Sequence, residues 1–318
     1  MRTDHATPPA DFRAGFLRPA RRRLWIISDL QQSDPANARR CMHEGVADFL
    51  SLRLPVDAVC YLGDTTEGCD LAHLREMSDM QVEALARVDA PVWYVMGNHE
   101  FDYHRWGGGR GSGRVTIPMR ERVLREKQWH TTPSVRDWLL VADFGDLALA
   151  LFSDHADPAG AWFCVHGGAT DGENRIDYPD PDAAERAREA IAALGKPVFT
   201  MSHYAFPGGN RASELMGTLR PLPPNVVAHF YGHCHIGDFK WGGEDCLRQI
   251  SGVDGSALTQ FDVASLENRR GNAIRSAVVE WYGGASYGVF FRDHSSRRWE
   301  KSFIAGDGGA SSPSEPVA

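Results

Sequence analysis

Five short apolar runs of β type, at residues 24–27, 58–62, 91–96, 197–201 and 226–231, each close on a polar side chain able to bind a metal. Asp29 and Gln31 follow the first, Asp64 the second, Asn98 and His99 the third, His203 the fourth, and His233 with His235 the fifth. In open α/β sheets the crevice beyond the carboxyl ends of the strands is where ligands gather. Residues far apart in the chain can therefore converge at one edge.

The segments between the runs carry helical spacing. Met42, Val46, Phe49 and Leu50 lie on one helical face, as do Leu74, Met77, Leu85 and Val88 within 71–88, and Ala187, Ile191 and Leu194 further on. Strand and helix patterns that alternate three times predict a parallel sheet with right-handed crossovers. Runs at 139–142, 147–152 and 161–165 join 197–201 and 226–231 in a second group of strands. The late runs 277–281 and 287–291 alternate and are bulky, which predicts an antiparallel part of that second sheet. Their aromatics, around Trp281 and Phe291, are candidates for pairing with another copy of the chain. The sum is an α/β chain with two mixed sheets packed face to face and covered by helices.

Residues 1–20 and 305–318 lack periodicity and read as tails around one folded domain, 21–304. The hydrophobic share of 42% against 24% charged suits a folded domain of that size. A formal net charge of -8 gives no global positive field, which argues against nucleic acid as partner. Arg21, Arg22 and Arg23 form the basic cluster to weigh, as a solvated flank or a local phosphate contact. Cys41, Cys60, Cys69, Cys164, Cys234 and Cys246 show no CxxC spacing and read as reduced thiols. With no basic-then-apolar leader and no apolar run of roughly 18 residues, a cytoplasmic protein without a membrane span is expected.

The polar residues at the strand ends suit one another chemically. A carboxylate such as Asp64 can bridge two divalent ions, and Asp29 with the imidazoles of His203, His233 and His235 supplies a mixed oxygen and nitrogen set. Ser28-Asp29-Leu30-Gln31, Gly63-Asp64, Gly97-Asn98-His99-Glu100, Ser202-His203 and Gly232-His233-Cys234-His235 occur in an order and spacing that resembles the calcineurin-like metallophosphoesterases, over residues 25–237. The resemblance implies a four-layer αββα sandwich and two divalent metal ions, Mn, Fe, Zn or Mg. It implies that Asp29, Gln31, Asp64 and His235 surround the first ion and that Asp64, Asn98, His203 and His233 surround the second. It also implies that His99 stands beside the leaving-group oxygen as general acid or hydrogen-bond donor. The expected reaction is hydrolysis of a small phosphorylated substrate by a metal-bound hydroxide, with a phosphodiester as first expectation and a monoester as second.

Three departures qualify that reading. Gln31 stands where the family usually has histidine, and an amide oxygen is a weaker, harder ligand than an imidazole. That supports the alternative of a catalytically weak metal-binding regulatory or recognition protein with a degenerate first site. His166, in Cys164-Val165-His166-Gly167-Gly168, competes with His203 for one ligand role, and chain spacing favours His203. Asp64 is followed by Thr65-Thr66-Glu67-Gly68 rather than by the arginine of the phosphoprotein phosphatase branch, which argues against protein dephosphorylation. His104, Asp154 and His155 have loop roles as their ordinary explanation, and His104 is a further candidate for the substrate pocket.

Overall fold

A computed structural model describes residues 19–32, 34–66, 71–95, 97, 129–131, 139–152, 181–206, 221–235, 247–251, 257–269 and 273–306. Its strands form two six-stranded sheets. In the first, β1 (Arg22–Ile27), β2 (Ala58–Tyr61) and β3 (Val92–Tyr94) run parallel, joined by the helices α1 (Pro35–Ser51) and α2 (Leu71–Leu85). In the second, β5 (Ala148–Phe152), β6 (Val198–Ser202), β7 (Val226–Tyr231) and β9 (Ala257–Asp262) run parallel. The strands β4 (Leu139–Asp143) and β8 (Leu247–Ser251) pair antiparallel at its two edges, and helix α3 (Pro181–Ala193) leads into β6. Both sheets are mixed, as the sequence predicts.

Pleating explains the layers, because alternate side chains of a strand point to opposite faces. Trp25 and Ile27 of β1 pack toward the helices with Met42, Val46, Phe49, Met77 and Leu85. Leu24 and Ile26, one residue out of phase, pack between the sheets with Leu149, Leu151, Phe199, Met201 and Phe230. Ala148, Ala150 and Phe152 face Ala184, Ala187 and Ile191 of α3 on the far side. Three apolar layers separate four structural ones, and Trp25 stacked on Phe49 at 4.0 Å shows how closely the first is filled.

Helix α1 begins where its sequence directs. Asp34 is the N-cap, its side chain accepting the Ala36 amide at 3.1 Å, and Pro35 occupies the first turn, where its missing N–H costs nothing. Asp29 is therefore left to other work.

The late strands correct an expectation. β10 (Arg275–Gly283), β11 (Ser286–Asp293) and β12 (Arg298–Ala305) are antiparallel, but they extend the first sheet, not the second. β10 pairs with the free side of β1, Leu24 opposite Val279 and Trp25 opposite Val278. A hairpin returning to that edge completes its backbone hydrogen bonds, a demand that alternation within the hairpin cannot reveal. β10 and β11 thus have strand neighbours on both sides, and Trp281 and Phe291 lie in the core between the sheets.

The basic cluster is occupied by structural contacts. Arg22 meets Asp146 at 2.8 Å, Asp57 at 3.2 Å and the Phe144 carbonyl at 2.9 Å, tying β1 to the β4–β5 turn of the other sheet. Arg23 donates to the buried Glu280 at 2.5 and 2.8 Å. Cys41, Cys60 and Cys234 are buried, and burial pushes the Cys60 thiol up. No helix among the described residues is long and apolar enough to cross a membrane.

Candidate metal centre

The parallel strands end in step. Ile27 stands opposite Tyr61 and Tyr61 opposite Tyr94, while Phe152, Ser202, Tyr231 and Asp262 are aligned across the other sheet. The loops leaving each row therefore start at one level. They are stitched together: Asp29 N donates to Gly63 O at 3.0 Å, Gln31 N to Asp64 O at 3.0 Å, and Gly232 N to His203 O at 3.1 Å.

The turns themselves are tight. Asp29, Asp64, His233 and His235 adopt φ of 53°, 51°, 69° and 52°, in the left-handed region that few residues other than glycine enter. Four such residues at the carboxyl ends of strands from both sheets concentrate backbone strain where side chains must be aimed. Two glycines make room for them. A Cβ on Gly97 would lie 2.2 Å from Asp64 Oδ1, and one on Gly232 would lie 2.0 Å from Ser28 Oγ and 2.6 Å from Asp29 Oδ2.

Two linked clusters result. His203 Nε2 is 3.3 Å from Asp64 Oδ2 and 3.2 Å from His233 Nδ1, and the three residues each offer a ligand atom within 4.8 Å of the others. The other ring nitrogen of His203 lies 2.7 Å from the Leu62 carbonyl, which fixes that nitrogen as an N–H and turns Nε2 toward the cluster. In the second cluster His235 Nε2 is 3.1 Å from Asp29 Oδ1, and Gln31 is buried beside it in the chain. Asp29 Oδ2 joins the clusters by accepting the His233 amide at 2.9 Å. All six side chains are at most 8% exposed.

The electrostatics call for positive charge. Burial alone would raise the Asp29 carboxyl, but the His235 imidazole beside it outweighs burial and holds it below the ordinary carboxylate range. Burial would equally push His235 down, yet Asp29, and after it Glu267, bring it up to about 10. Gln31 Oε1 is buried and accepts no hydrogen bond among the described residues, an acceptor left over in a place where that costs free energy. Carboxylate and amide oxygens with imidazole nitrogens form a donor set for Mn, Fe, Zn or a similar ion.

The family model of calcineurin-like phosphoesterases matches residues 22–237, about two thirds of the chain, and that span holds all six side chains above. The chain belongs to the calcineurin-like phosphoesterase family. Solved structures with this fold include a purple acid phosphatase from yellow lupin seeds, at 11% identity and a TM-score of 0.51. That match covers 89% of this chain and 53% of the lupin enzyme, so the chain spans about half the lupin enzyme's length. Another is GAP50, the anchor in the inner membrane complex of Plasmodium, at 12% identity and a TM-score of 0.50, covering 92% of this chain and 91% of that one. The phosphopantetheinyl hydrolase of Mycobacterium tuberculosis aligns at 18% identity and a TM-score of 0.41, covering 77% and 90%. A search of curated proteins finds no significant match.

Asn98, His99, His104, Asp154, His155 and His166 lie outside the described residues. Sequence reasoning missed Glu267, a fully buried carboxylate whose Oε1 is 2.8 Å from His235 Nδ1. It follows β9, a strand not anticipated because Ala257-Leu258-Thr259-Gln260 lacks clean alternation. The sole signal would have been a carboxylate after a further strand-like run, which is weak without knowing that β9 lies beside β7.

Proposed function

We propose that this calcineurin-like phosphoesterase hydrolyses a phosphoester with two divalent ions held at the carboxyl ends of its parallel strands. The observation that supports it most is the pair of linked clusters, Asp64 with His203 and His233, and Asp29 with His235, with buried Gln31 two residues beyond Asp29. In this reading Asp64 serves both ions, and Asn98 completes the second set. When bound, the ions supply Lewis acidity for a phosphoryl oxygen and a nucleophile available at neutral pH. The chain's own residues do the rest. The Leu62 carbonyl orients His203, the Asp29 carboxylate fixes the His233 turn, and Gly97 and Gly232 allow the loops to approach. His99 donates a proton or hydrogen bond to the leaving oxygen.

A phosphodiester is the first substrate class. No arginine follows Asp64, and buried Thr65 and Thr66 stand in its place, so less positive charge is available for a doubly charged monoester. The test strips the protein with chelator, restores Mn, Fe, Zn or Mg one at a time, and assays an activated aryl phosphodiester beside the corresponding monoester. Turnover with at least one metal, faster on the diester, is expected. Tight binding of one ion without turnover under any metal favours the second reading, a metal-binding recognition protein, for which the amide at Gln31 is the supporting observation.

A further inference from the structure

Glu267 lies beyond residues 22–237, the span that the family model matches, and no strand-end motif announces it. Its side chain is nevertheless fully buried, and a buried carboxylate is retained at high cost unless positive charge or donors meet it. Arg269 Nε holds Oε2, and Oε1 lies 2.8 Å from His235 Nδ1 as an ion contact. On the opposite side of the same ring, Nε2 is 3.1 Å from Asp29 Oδ1. One imidazole therefore has a carboxylate at each nitrogen.

The segment carrying Glu267 is fastened to the site. Leu266 N donates to Ser28 O at 2.9 Å, immediately before Asp29, and Ser265 O accepts Arg275 N from the start of β10 at 2.8 Å. Asp262 Oδ1 accepts the amide of Ala264, which turns through a φ of 69°. Glu267 is thus placed by backbone bonds to the Asp29 turn and to β10.

We propose that Glu267 is a positioning residue for the first cation: it keeps the proton on His235 Nδ1, presents Nε2 beside Asp29 as a ligand, and adds the negative charge that the neutral amide of Gln31 lacks. A carboxylate behind a ligating histidine fixes the tautomer and ring orientation and raises the basicity of the ligating nitrogen. Arg269 Nε, held on Oε2, fixes the direction in which the carboxylate points. The inference rests on reading Asp29, Gln31 and His235 as ligands of that first ion.

The test uses the full chain as wild type, Glu267→Gln and His235→Ala, each freed of metal, titrated calorimetrically with Mn²⁺ and analysed for bound metal per chain. The ion lost in His235→Ala is expected to bind about 10- to 100-fold more weakly in Glu267→Gln, while the remaining ion keeps its affinity. Wild-type affinity for both ions in Glu267→Gln overturns the inference and leaves the metal centre standing. Equal weakening of both also overturns it, since loosening of the fold would act on the two alike. If His235→Ala binds every ion as wild type does, the first site itself is misassigned and the inference falls with it. Should Glu267→Gln not fold, Glu267→Asp, which keeps the charge but draws it back by one methylene, must show the same selective loss.

Discussion

His294 and His235 are each flanked by polar partners at both ring nitrogens, and their settings differ in one decisive respect. His294 Nδ1 is 2.8 Å from Asp48 Oδ2 and its Nε2 is 2.7 Å from Ser276 Oγ, the order of partners found in a serine-hydrolase triad. The group is nonetheless sealed. Trp25 Nε1 donates to Ser276 Oγ at 2.8 Å, Arg292 grips Asp48 through Nε and Nη2 at 2.8 and 2.9 Å, and Ser276, His294 and Asp48 are at most 2% exposed. Every acceptor of Asp48 is used, and no substrate can reach the hydroxyl. At His235 the acceptors outnumber the donors: two carboxylates share one ring, and Gln31 Oε1 accepts nothing among the described residues. A histidine beside a carboxylate is thus a poor indicator of function by itself. Unused acceptor capacity at the end of a strand is a better one.

The contrast can be broken most severely at Asp64. Asp64→Asn removes a carboxylate from the Asp64, His203 and His233 cluster, and kcat on an activated phosphodiester is expected to fall by about a thousandfold, roughly 4 kcal/mol of transition-state stabilisation. Its chelated form should melt near the wild-type temperature. Asp48→Asn should do the reverse. It leaves Arg292 buried without its counter-charge, so urea unfolding should report a loss of about 3 kcal/mol while Mn²⁺ affinity stays the same.

Metal addition sharpens the same division. At free Mn²⁺ about 100-fold above its dissociation constant, wild type should gain about 2.7 kcal/mol over the chelated protein. Asp48→Asn should keep that gain and Asp64→Asn should lose most of it, as read from melting curves with and without chelator.

The smallest effect is a pH dependence of the sealed group. Burial favours the neutral Asp48 carboxyl, but hydrogen bonds from Arg292 and His294 prevail and hold it down to about 2. Because this lies below the unfolded value near 3.9, the contribution is complete above about pH 5 and is lost as pH falls through 2, amounting to roughly 2.6 kcal/mol. Urea midpoints of chelated wild type between pH 5 and 2 should show this slope, and it should be absent in Asp48→Asn.

Much of the first sheet and of the centre was legible in the chain. The β1, β2 and β3 runs and their helices carry their own periodicities, and Asp29, Asp64, His203, His233 and His235 each stand directly after a run, where alternation stops and tight turns begin. Gln31 likewise announced an unusual ligand set. The sealed group was not legible, because Asp48, Ser276 and His294 are brought together from α1, β10 and the end of β11, with no local signal relating them. Nor was Glu267, for the same reason.

The amino-acid sequence by itself determined β1 to β7, β10 and β11 and which metal-binding side chains follow them, since both come from short-range alternation and turn chemistry, whereas β8, β9 and β12 carry no such signal. Only the tertiary structure decided that the late hairpin closes against β1, that β9 carries Glu267 to the edge beside β7, and that one histidine is sealed while another faces leftover acceptors. Those outcomes depend on which backbone edges and buried polar groups find partners, and that is settled by the packed molecule as a whole.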